Sequence, residues 1–118
     1  MSGSLSNVMI EDTIGKIEDR IRDADAIKEE RRHELLELLG TLKSEVAGLS
    51  RTHEEQAQSI AGFTSVSAHE ALRSERDPRL VELSLQGLSS SVKQLEQSHP
   101  GLVGIVNRIC ETLANLGI

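Results

Sequence analysis

Residues 26–49 read AIKEERRHELLELLGTLKSEVAGL, and their apolar spacing decides the fold class. Leu35, Leu39, Leu42, Val46 and Leu49 recur at intervals of four and three. That spacing puts them on one face of an α-helix, and Leu36 and Leu38 widen it. It predicts a helix over 26–50, with Asp25 as N-cap and Glu29 and Glu30 in the early turns, where carboxylates are favoured. The same step continued reaches His53, Gln56, Ile60 and Phe63, two of which are polar. The helix therefore either runs on to about residue 75, as a rod roughly 75 Å long at 1.5 Å per residue, or ends near Gly48 to Thr52.

Upstream, Ile10, Ile14, Ile17 and Ile21 share one helix face, with the acid-first pairs Asp12/Lys16 and Glu18/Arg22 four residues apart. A first helix is expected over 5–23. The stretch RDADA should turn the chain, because Asp23 and Asp25 can accept from nearby amides. Downstream, residues 64–78, TSVSAHEALRSERDP, lack a clear apolar stripe, which leaves 50–77 open between weakened rod and linker.

The next start is better marked. Asp77 suits an N-cap and Pro78 a first helical position. Val81, Leu85, Leu88, Val92 and Leu95 step by four and three, with Leu80 and Leu83 beside them. They predict a helix over 78–98 that stops ahead of Pro100, weakened by Gly87 and the Ser89–Ser91 run. A last helix is expected over 100–116, capped by Ser98 or His99, with Pro100 first and Gly117 placed to end it. Its stripe is Leu102, Ile105, Val106, Ile109, Leu113 and Leu116, with Val103, Cys110 and Ala114 on the shoulders.

The bulk composition agrees. The chain has 118 residues, one Phe and neither Trp nor Tyr. Aromatic side chains usually anchor a compact core, so this one must be built from Leu, Ile, Val and Ala, which suits helices packed side by side. The expectation is an all-α chain: one helical domain over 1–118, folded as an antiparallel bundle or coiled-coil-like hairpins of three to four helices.

The net charge is −6, distributed as −3 over residues 1–26, −2 over 27–56 and −1 over 57–118. There is no basic pole to neutralise phosphates, and an acidic chain is repelled by anionic lipid. Neither nucleic acid nor membrane is expected as a partner. Cys110 is the single cysteine, which fits a reducing cytosol. No signal-peptide pattern opens the chain, so a cytoplasmic location is expected.

Catalytic constellations are not visible. Three His-Glu dipeptides, at His33, His53 and His69, are followed at the position of a second zinc-binding His by Glu37, Ala57 and Arg73. There is no phosphate-binding glycine loop, and Lys28, Arg31 and Arg32 are interleaved with Glu29, Glu30 and Glu34. Cys110 sits on an apolar shoulder with only Arg108 near it, the setting of an inert thiol. The one metal pattern is Glu-x-x-His, which di-iron four-helix bundles use. It occurs at Glu30/His33 and Glu96/His99. At 100° per residue the first pair points away from the Leu35/Leu42 stripe, toward solvent, and the second ends where its helix stops.

The C-terminal segment LEQSHPGLVGIVNRICETLANLGI resembles the end of a family of short bacterial proteins catalogued as domain of unknown function 4404. The matching positions are Glu96, His99, Pro100, Leu102, Arg108, Ile109, Leu113, Asn115, Gly117 and Ile118. The similarity covers about residues 80–118 and extends more weakly over 25–49, while 50–77 is longer than the family pattern. The resemblance implies a small helical protein and no assigned activity.

Two functions follow as expectations. The first is a non-enzymatic, oligomeric interaction or scaffold protein without a cofactor, a homodimer or higher homo-oligomer that can also hold another protein. Its core or interface would be Leu35, Leu39, Leu42, Val46, Leu49, Leu85, Leu88, Val92, Leu95, Leu102, Ile105, Val106, Ile109, Leu113 and Leu116. The alternative is a metal-binding bundle using Glu30, His33, Glu96 and His99.

Overall fold

The computed structural model describes residues 2–116, with side chains from residue 7 onward. Gly117, the expected helix-ending glycine, and Ile118 lie outside the described residues. Within them all regular structure is helical: α1 (Ser2–Asp23), α2 (Glu29–Leu49), α3 (Glu54–Leu72), α4 (Pro78–Ser91), a 3₁₀ turn (Lys93–Leu95) and α5 (Pro100–Asn115). That is five α-helices where three to four were expected. The molecule measures 40 × 25 × 22 Å, and among the described residues no helix is long and apolar enough to cross a membrane.

α1 buries Ile10, Ile14, Ile17 and Ile21 against α2 and α3. Asp12 pairs with Lys16 at 3.2 Å. Glu18 does not pair with Arg22 as its spacing suggests. It reaches across to Lys43 of α2 at 2.6 Å, and Arg22 pairs with Asp19 at 3.0 Å. The difference is burial: Glu18 lies almost wholly inside, where a carboxylate needs a close cation.

α2 begins at Glu29 rather than at residue 26, and Asp25 does not cap it; Lys28 occupies the N-cap without a side-chain bond. Ile27 is drawn into the core first, which delays helix entry. Arg32 locks this turn. Its Nη1 donates to the carbonyls of Ile21 at 2.6 Å and Arg22 at 2.7 Å, and its Nη2 to that of Ile27 at 3.1 Å. The final carbonyls of a helix have no intrahelical partner, and this guanidinium supplies one for α1.

The rod to residue 75 does not form, and 50–77 is not a plain linker. α2 ends at Leu49, whose carbonyl accepts from the N–H of His53 at 2.8 Å, and the chain turns there. α3 then buries Ala57, Ile60, Ala61, Thr64, Ser67, Ala68 and Ala71. Those residues keep helical spacing, but most are small, so a search for large apolar residues passes over them. Small side chains let α3 lie close to α1 and α4, its two main neighbours. Thr64 Oγ1 is satisfied by the carbonyl of Ile60 at 2.7 Å.

α4 starts as its cap signals say, with Asp77 Oδ1 accepting from the N–H of Arg79 at 2.9 Å and Pro78 next. It ends at Ser91 rather than 98. Ser91 Oγ donates to the Leu88 carbonyl at 2.6 Å, a local bond that competes with helix continuation. The 3₁₀ turn still delivers Val92 and Leu95 to the core. α5 lies on α2 and α4 and buries Leu102, Val106, Ile109 and Leu113.

Candidate functional site

Every large residue of the expected core or interface set is buried or half-buried within the single chain. Leu35, Leu39, Leu42, Val46, Leu49, Leu88, Val92, Leu95, Leu102, Val106, Ile109 and Leu113 are buried, while Leu85, Ile105 and Leu116 are half-buried and pack against them. These side chains are therefore core. With α3 laid among the other helices, the apolar stripes are covered within the chain.

The two Glu-x-x-His pairs do not come together within the chain. His33 sits in the first turns of α2 and faces Glu37 at 3.6 Å on the exposed side. His99 stands at the other end, its ring 5.8 Å from that of His53, which follows the C-terminus of α2. About 20 residues of helix separate the pairs, on the order of 30 Å. Among the described residues no group of three or more His, Cys, Asp or Glu is placed to hold a metal ion.

His53 and His99 occupy the N-caps of α3 and α5, and neither ring caps its helix. Each Nδ1 instead meets the preceding hydroxyl, Thr52 Oγ1 at 2.8 Å and Ser98 Oγ at 2.9 Å. Cys110 is half-buried beside the Leu85 carbonyl. Burial, with Glu111 adding to it, pushes its thiol up to about 11, which keeps it protonated and poorly nucleophilic at neutral pH. A groove between α2 and α5, lined by Glu34, Glu37, Thr41, Ile105 and Arg108, contains no nucleophile paired with a base.

What the fold leaves outside is more informative. Phe63, the only aromatic residue in the chain, is 40% exposed, and with it Val66 (49%), Leu80 (38%) and Leu83 (57%). α3 and α4 run antiparallel in a register set by two contacts. Gln56 Nε2 donates to Gln94 Oε1 at 3.3 Å. Seven residues further along α3 and seven back along the chain, the Phe63 ring lies over Gly87, so close that a Cβ there would sit 2.5 Å from a ring carbon. Continued one turn, the register brings Val66 level with Leu83 and Ser84. These four thus line the outer seam of α3 and α4 as a strip, apart from Val8 and Met9, which are exposed on α1. By spacing alone, Phe63 is only an extrapolated position of the α2 stripe, and Leu80 and Leu83 only flank the Val81–Leu95 stripe. Val66 carried no signal.

No curated protein and no solved structure matches the chain. The family model described as a domain of unknown function (DUF4404) does match it, over residues 10–118, beginning at the first buried isoleucine of α1. The chain belongs to that family.

Proposed function

We propose that this protein is a non-enzymatic interaction domain, an antiparallel helical bundle that binds protein through the α3–α4 strip. One observation carries the reading: the sole aromatic side chain is held on the surface with three large aliphatic ones. Exposed apolar patches of this kind mark interaction sites, and aromatic residues are enriched in them. A chain with a single cysteine suits a reducing cytosol.

The test compares wild type with Leu83→Asp as bait in native cytosol. The variant should keep its helicity and melting temperature, because exposed substitutions usually change stability by about 0.5 kcal/mol or less. Retention of a partner, a second copy included, by wild type and its loss from the variant is the expected result. Equal retention by both overturns the reading.

A further inference from the structure

We infer that the occupant of the strip is a second copy of this chain, with its α4 crossing antiparallel over the first about a two-fold axis at Leu83. The inference rests on the interaction reading above and names its partner.

The first support is the shape of the strip. Leu80, Leu83 and Gly87 are spaced by three and four on α4, the step of a helix–helix seam. A two-fold axis at Leu83 sets Leu83 against Leu83 of the second copy. Leu80, 4.5 Å along the helix at about 1.5 Å per residue, then falls near Gly87 of the other copy, about 6 Å from the axis. No side chain projects from Gly87, and the Phe63 ring covers it. Leu80 of each copy thus meets the Phe63 ring of the other, twice over, as a self-complementary patch requires.

The second support is charge. A chain of net charge −6 meets least repulsion from a copy of itself at a face that carries little of that charge. None of the four strip residues is charged, and the one acid level with Leu80 is neutralised by its neighbour. On α4 the strip's flanks hold Arg79 and Glu82, of opposite sign. On α3 the acid one turn beyond Val66, Glu70, is tied to Arg73 at 2.8 Å. Ser59 and Gly62, one turn before Phe63 and Val66, are small. Depletion of charge marks the centre of a protein interface, and homodimer interfaces are more apolar than the rest of the surface.

Area is the third. The four exposed side chains offer on the order of 350 Å² of apolar surface, about half of the roughly 800 Å² that each partner gives to a standard interface. The strip can supply the apolar centre of such an interface, with the polar flanks left to form the rim.

The deciding experiment uses the full chain. Light scattering on a size-exclusion column across a dilution series gives the mass, and photo-cross-linking in the native cell, with Leu83→p-benzoylphenylalanine, identifies the neighbour. The expected result is a mass approaching twice 12.9 kDa at high concentration and a cross-link between two copies, mapped to residues 80–87 or to Phe63. Leu83→Asp should weaken the dimer at least about thirtyfold, as loss of a central contact does. Met9→Asp, at an exposed apolar residue on α1, should leave it unchanged. A dimer indifferent to Leu83→Asp overturns the proposal. A monomer that cross-links to a different protein overturns the second copy but leaves the interaction reading standing. A monomer that cross-links to nothing overturns both.

Discussion

Arg32 does more for this fold than its charge suggests. It closes three carbonyls at the α1–α2 turn and still pairs with Glu29 at 3.2 Å. Hydrogen bonds from a charged donor contribute about 1.5–3 kcal/mol, and water can hydrate some of the carbonyls once the side chain is gone. Arg32→Ala is therefore expected to cost about 2 kcal/mol in urea unfolding, and Arg32→Lys to recover only part, since an ammonium lacks the planar fork. Cys110 gives a second residue-scale outcome. With its thiol raised to about 11 by burial, the unfolded chain loses that proton first as pH climbs. Stability contributed by the protonated thiol is present below the unfolded value of 9.0 and is lost between there and about 11. Cys110→Ala should flatten that alkaline decline. In the native wild type, alkylation at pH 8 should run at least about tenfold slower than in denaturant.

Among the elements, α3 shows how a helix can be real and yet poorly legible. Its buried face is Ala57, Ala61, Ser67, Ala68 and Ala71 around Ile60 and Thr64, and its worth lies in how near the neighbours can come. Enlarging that face should hurt more than truncating it. Ala68→Leu is expected to destabilise by about 1–3 kcal/mol through overpacking, read as a lower urea midpoint at unchanged slope. α4 shows the opposite limit. Its stripe continues legibly to Leu95, but the α-helix ends where the Ser91 hydroxyl turns back to the Leu88 carbonyl, and Val92 and the 3₁₀ turn carry the last two apolar residues inward.

For the whole molecule, two apolar faces have opposite fates. α5, the most apolar segment by sequence, is covered by α2 and α4, whereas Phe63, Val66, Leu80 and Leu83 stay outside. Ile109→Asp should therefore unfold the chain, because an unpaired buried carboxylate costs several kcal/mol out of a stability of about 5–15. Circular dichroism would show the helicity lost, in contrast to the folded Leu83→Asp. Self-association should also tighten as salt rises from about 0.05 to about 0.5 M, since screening removes the repulsion between two chains of −6.

The sequence by itself determined the all-helical class, the inward faces of α1, α2 and α5, and the start of α4 at Asp77-Pro78. These are local properties: apolar period and cap chemistry need no knowledge of neighbours. Only the tertiary structure decided that residues 54–72 form a separate helix, because a face of Ala and Ser gains meaning only from the helix laid against it. It decided too that Arg32 caps α1 and that Glu18 seeks Lys43, contacts made across chain separations that no helical period records. And it decided which apolar residues remain outside. A stripe read from spacing states that a face wants cover; whether cover exists depends on the other helices, and for the seam of Phe63 and Leu83 the fold provides none.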